Sequence, residues 1–256
     1  MRVRLLFLCT FALASAISPG RGLGADQVFA QNFLTGSKQI VRFPVGNPSA
    51  MVVVGPLTDT LAGMDFDPSA NVLWAINFTT QSLGTIDRVS GAFTSAVALQ
   101  GDCCIKAFTI DPVAGTFYVS KGDAFLYSLD RSSGVATLVA AAAPSGAQVT
   151  ALAMDCSGRL LAVDGDPNAG SIYEVHLDAS PALVGNPGYV GATSLEFDND
   201  TGALYGWFNV SGSDASTHAT IDPATAQPSQ ASQLPGKYRM AVRNTCFRIF
   251  TGDFES

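Results

Sequence analysis

Four aspartates recur along this chain at almost constant distance. Asp67, Asp111, Asp155 and Asp198 are separated by 44, 44 and 43 residues, and each sits in the same local context. An apolar run leads into the aspartate, a short polar turn follows, and a second apolar run begins about five residues later: Gly63-Met-Asp-Phe-Asp67 then Val72-Leu-Trp74, Ala107-Phe-Thr-Ile-Asp111 then Thr116-Phe-Tyr118, Ala151-Leu-Ala-Met-Asp155 then Arg159-Leu-Leu161, and Ser194-Leu-Glu-Phe-Asp198 then Ala203-Leu-Tyr205. A second marker keeps step about twenty residues later, as Thr85-Ile-Asp87, Ser128-Leu-Asp130, the looser Val175-His-Leu-Asp178, and Thr220-Ile-Asp222. Fixed self-similarity at this period is the mark of a repeat architecture, and it constrains the fold more than any composition.

Runs of Val, Ile, Leu, Tyr and Phe broken by Asp and Gly turns are strand chemistry. The aspartate side chain accepts from backbone N–H groups two residues on, and glycine tolerates the positive φ such turns need. Each unit therefore reads as four strands, the size of one propeller blade. The chain ends complete the count. Val28–Gln31, Gln39–Arg42 and Met51–Val54 look like the last three strands of a unit, and Tyr238–Arg243 supplies its missing first strand. The expected fold is an all-β, five-bladed β-propeller of four-stranded antiparallel blades, its ring closed by pairing of the N-terminal and C-terminal strands. The blades are placed at about 26–57 with 237–244, 61–100, 104–141, 148–185 and 190–234, followed by a tail at 246–256. Such pairing removes both sheet edges at the seam. An open sandwich of hairpins is the competing architecture, and a sixth blade has no room.

Hydrophobic residues make up 47% of the 256 residues and charged residues only 14%, which argues against disorder. The net charge of −7 comes with no cluster of Lys or Arg, which argues against nucleic acid and anionic membrane as partners. Residues 1–24 read as a signal peptide and short leader. Arg2 and Arg4 precede the apolar stretch Leu5–Ala14, and Ala14-Ser15-Ala16 has the small-x-small form of a cleavage site, with Gly24 or Ala25 as alternatives. No segment after it is long enough to span a bilayer. The expectation is an exported monomer, periplasmic or extracellular.

Candidate chemistry is sparse. His176 and His218 lie in third-strand regions of different blades and read as surface or turn histidines, because no zinc or Ser-His-Asp spacing surrounds them. Asp164-Gly-Asp166-Pro-Asn168 is the best local site: oxygen ligands at alternate positions in a glycine-rich loop suit Ca²⁺, although the loop departs from the EF-hand pattern. Calcium is the one cofactor suggested, and no catalytic residue is assigned. The repeated aspartates read as turn residues, and Trp74, Tyr118 and Tyr205 as packing between blades. Trp207, beside the polar loop Ser211–Thr217, could stack on a sugar if exposed. After signal removal Cys103, Cys104, Cys156 and Cys246 allow three pairings. Their placement on opposite rims favours 103–104 with 156–246, yet blade four separates the second pair and sequence alone does not choose.

Gly115-Thr-Phe-Tyr-Val-Ser-Lys-Gly122 with Leu126-Tyr-Ser-Leu-Asp-Arg-Ser-Ser-Gly134 resembles the YVTN-type and quinoprotein-type repeats of exported bacterial propellers, loosely over residues 60–234. The resemblance implies blade shape and not chemistry, since that group includes lactonases, quinone-dependent dehydrogenases, surface repeat proteins and binding scaffolds. The ending Gly252-Asp253-Phe254-Glu255 is similar to a C-terminal ending of exported proteobacterial proteins that usually reads Asp-Gly-Phe-Glu. Two functions follow as expectations. The first is a non-enzymatic scaffold that binds a protein, glycan or small molecule through its loops. The second is a lactonase-like or other hydrolase with a divalent cation in the central channel, for which Asp102, Asp123, Asp164 and Asp166 are the nearest carboxylates.

Overall fold

A computed structural model describes residues 27–34, 36, 38–101, 104–165, 170–243 and 246. Its strands form five separate four-stranded sheets, and every pairing is antiparallel. The first blade holds β4 (Leu61–Asp67), β5 (Val72–Asn77), β6 (Ser82–Ile86) and β7 (Phe93–Ala98). The second holds β8 (Ala107–Ile110), β9 (Phe117–Ser120), β10 (Phe125–Leu129) and β11 (Ala136–Ala141). The third holds β12 (Val149–Met154), β13 (Leu160–Asp164), β14 (Ile172–Val175) and β15 (Ala182–Gly185). The fourth holds β16 (Ala192–Asp198), β17 (Ala203–Asn209), β18 (Ala215–Ile221) and β19 (Pro228–Pro235). The closing blade joins the two ends: β20 (Tyr238–Val242) pairs with β1 (Gln27–Asn32), followed by β2 (Gln39–Pro44) and β3 (Val52–Pro56). Val28 lies opposite Val242 and Asn32 opposite Tyr238, so the expected ring closure and blade number are observed.

Both faces of each inner strand are buried, which is why those strands read as nearly unbroken apolar runs rather than alternating ones. The core is five wedges, one in each seam between neighbouring blades. Along β1, Phe29 packs toward the first blade with Ile40, Met64 and Phe66, while Val28 and Ala30 pack toward the fourth with Trp207 and Met240. The period of two in strand geometry sends alternate residues into different seams. The bulky wedge between fourth and closing blades is aromatic: Trp207 lies 4.6 Å from Tyr238 and 6.4 Å from Phe43 between ring centres.

The marker aspartates do what turn residues do. Asp67 Oδ1 accepts from the N–H of Ser69 and Ala70 and from the Ser69 hydroxyl, and Asp155 Oδ1 accepts likewise from Ser157 and Arg159. Asp87, Asp111, Asp130 and Asp222 repeat the pattern. These tight turns gather at one rim. The opposite rim carries the longer connections between second and third strands and between blades. On the outer wall, the third-to-fourth-strand turns of the first, second and fourth blades lean on the preceding blade. Gly55 in β3 meets the Ser90–Gly91 backbone so closely that an added Cβ would sit 1.8 Å from the Ser90 carbonyl oxygen, and one added at Gly134 would sit 2.1 Å from the Ala98 carbonyl oxygen. The five outermost strands contain no Asp, Glu, Lys or Arg.

Candidate functional site

Inner strands of a propeller present one backbone edge to the axis, and its N–H and C=O groups need partners. Here side chains from neighbouring blades supply them. Gln31 donates to the Asp59 carbonyl and accepts from the Leu61 N–H. Arg239 Nη1 donates to the Leu61 carbonyl. Asp65 accepts from the Ile110 N–H at 2.7 Å and from the Thr109 hydroxyl at 3.0 Å. Thr150 donates to the Ala192 carbonyl, Thr193 to that of Tyr238, and Ser194 to that of Met240. The hydroxyls of β12 and β16, the Asp65 carboxylate and the Arg239 guanidinium thus all turn to the next blade around the ring. The axial space lined by Glu196, Arg239 and these hydroxyls holds about 10 Å³, room for one water.

Three ionisable groups stand around this axis, Asp65 and Glu196 buried and Arg239 half-buried. Asp65 is 5% exposed, and burial pushes its carboxyl up to about 7 against the pull of its hydrogen bonds. Glu196 is 3% exposed and lines the axial space. Burial, and then the charge of Asp65, raise it well above the usual carboxylate range. Its carboxyl has no hydrogen-bond partner among the described residues. Arg239 packs its guanidinium 4.7 Å above the Phe33 ring, leaves Nε without a partner, and is drawn down to about 10 by burial.

None of these three was singled out in the sequence, although two could have been. Asp65 and Glu196 stand two residues before their marker aspartates, in the register column otherwise filled by Thr109, Ala153 and Ala241. A charge recurring in an apolar column is the signal.

The residues singled out from sequence disperse. Asp164 ends β13, is buried, and accepts from the Gln148 N–H; Asp166 and Asn168 lie outside the described residues, as does Asp102. Among the described residues no group of three or more His, Cys, Asp or Glu could hold a metal ion. Asp123 accepts from the Tyr127 hydroxyl at 2.7 Å and serves its own loop. His176 lies in the turn after β14. His218 departs from expectation: it is 6% exposed in β18, stacked 5.4 Å from Tyr205 and edge-to-face with Trp207 at 4.8 Å between ring centres. Trp207 is fully buried, with Nε1 donating to Met240 Sδ, so it is unavailable to stack on a sugar. Cys156 is disulfide-bonded to Cys246, and Cys104 is also in a disulfide, while Cys103 lies outside the described residues.

The loop-bearing rim offers a different surface. A hollow of about 90 Å³ lies between first and second blades, lined by Gln81, Leu99, Gln100, Ile105 and Lys121 and reaching Gly134 and Ala136 on the outer wall. Beside it Lys106 sits 4.6 Å over Phe78 and Lys121 4.5 Å over Tyr127. No helix among the described residues is long and apolar enough to cross a membrane.

The fold thus defines the class, a five-bladed β-propeller. No protein-family model matches the chain, and no curated protein matches it in sequence. Among solved structures, one from a nidogen/laminin complex is similar over 83% of this chain and 78% of that one, with a TM-score of 0.55 and 16% identity. A structural-genomics protein of unknown function from Bacteroides thetaiotaomicron is similar over 84% of this chain and 56% of its own, with a TM-score of 0.55 and 12% identity. A virginiamycin B lyase from Staphylococcus aureus aligns over 77% of this chain and 62% of its own at a TM-score of 0.45 and 13% identity. Likeness at such identity concerns the fold alone.

Proposed function

We propose that this chain is an exported, non-enzymatic propeller that binds a partner through the loops of one rim. The observation that carries the reading is the narrowness of the axial space. The axial space of about 10 Å³ lined by Glu196 has room for a water and not a substrate, and the hydroxyls of Thr150, Thr193 and Ser194 beside it are occupied in joining blades. A hydrolase working in the channel would need room for substrate beside its carboxylates. Recognition is left to the rims, and the connections between second and third strands and between blades share one of them. The turn rim spends its aspartates on its own backbone. The loop rim displays Lys106 and Lys121 on aromatic supports beside the hollow at Gln81 and Gln100. The N-terminal Arg2–Ala16 pattern supports export.

Site-specific crosslinking tests the reading. A photoreactive residue at Lys121 is expected to capture a discrete partner from the exported fraction, and one at Arg131 on the turn rim is expected not to. Intact mass of the exported product should begin near Ile17 or within the next ten residues. Saturable turnover of lactones or esters that Glu196→Gln abolishes would replace the scaffold with the hydrolase.

A further inference from the structure

Glu196 is the one group on the axis with nothing to do. It is 3% exposed, faces the axial space, and has no hydrogen-bond partner among the described residues. A buried ionisable group without a partner is costly, and it either gives up its charge or holds a ligand. Its neighbours favour a ligand of opposite charge. The Ile110 N–H points at Asp65, away from β9, so alternation turns the backbone of Phe108 to the axis as well. Met64, Leu152, Leu195 and Met240 occupy the same register position in the other four blades, and all five line the same space. Backbone N–H and C=O groups at the inner edges of the blades thus border a space the size of one water, with a carboxyl at its side and the Met240 carbonyl already accepting from Ser194. Asp65 adds a second negative charge within electrostatic reach. The Arg239 guanidinium, which also borders this space, is committed to the Leu61 carbonyl and the Phe33 ring.

We propose that the propeller axis holds a single calcium-type cation, with the Glu196 carboxylate as its charged ligand and inner-edge carbonyls as the others. The space selects among cations. Mg²⁺ keeps several waters in a strict octahedron, and about 10 Å³ admits only one. Ca²⁺ accepts a larger, less regular set of protein oxygens. Monovalent ions answer two carboxylates less well. The site is distinct from the Asp164–Asn168 loop and independent of what the rim binds.

The test uses the full exported chain, unfolded with its disulfides intact and refolded in millimolar Ca²⁺ or in EGTA at mildly alkaline pH. Refolding lets the ion enter a closed axis. Calcium at about 100 times its Kd is expected to raise the Tm by about 5–10 °C, with Mg²⁺ and Na⁺ giving no comparable rise. Glu196→Gln should abolish the calcium response yet melt in EGTA no lower than the parent, because it removes an uncompensated charge. Equal melting of the parent in Ca²⁺ and EGTA, or an undiminished response in Glu196→Gln, overturns the site. A response lost in Asp166→Asn but kept in Glu196→Gln moves the cation to the loop and overturns it equally.

Discussion

At the scale of single residues, the buried ionisable groups set opposing dependences on pH. His218 is held neutral in its aromatic cage, and burial draws it from about 6.5 down to about 4. Its folded-state value is depressed, so the stability it permits is complete above about 6.5 and is lost as pH falls toward about 4. His218→Phe should therefore lose less stability than the parent between pH 7 and pH 4.5, by about 2–3 kcal/mol in urea denaturation. Asp65 acts in the opposite sense. Its value is raised to about 7, so its contribution is complete below the ordinary carboxylate value and is lost as pH rises through about 7. Asp65→Asn should flatten that alkaline slope. The variant also sets an amide against the donors of Phe66, Thr109 and Ile110, so about 1–3 kcal/mol should be missing from its stability at neutral pH. Asp65 was legible only as a charge in a largely apolar register column, and His218 differs from His176 only through burial, which depends on a neighbouring blade. The marker aspartates were legible because their partners lie two to four residues away.

At the scale of elements, the staple and the wall contacts carry the sharpest expectations. Cys246 follows the inner strand of the closing blade, and Cys156 lies in the inner turn of the third. Their Cα atoms are 5.6 Å apart across 90 residues of sequence. The fourth blade between them had argued against this bond. Inner turns converge toward the axis, however, and Asn199 of the fourth blade bridges the gap by accepting from the Cys156 N–H. The chord from one blade to the next but one is short there, a fact of ring geometry that linear spacing conceals. Replacing both cysteines by serine is expected to remove about 2–4 kcal/mol and to lower the Tm by about 5–10 °C in calorimetry. On the outer wall, Gly55→Ala should cost about 1–3 kcal/mol, because its Cβ would meet fixed backbone at Ser90. A similar melting temperature in that variant would show that the wall contact yields.

At the scale of the whole molecule, the ring was the most legible feature, since a 44-residue period with offset ends admits few closures. Its polar inner lining was not, because it is a relation between blades and each member looks unremarkable in its own repeat. Ending the chain before Tyr238 would strip β1 of its partner and open the seam filled by Trp207, Phe43 and Met240. Such a chain is expected to aggregate or to lose its cooperative melt in circular dichroism. A monomer with the parent's transition would show that four blades and three strands suffice.

The register of Val28 against Val242 also sets an order in time. Strands β1, β2 and β3 leave the ribosome before the strand that heads their sheet, β20, which follows more than two hundred residues later. Until then Gln31, Phe29 and their neighbours have only half a sandwich to rest on. Assembly governed by so distant a contact is slow, and its waiting intermediate offers an open strand to any other chain nearby.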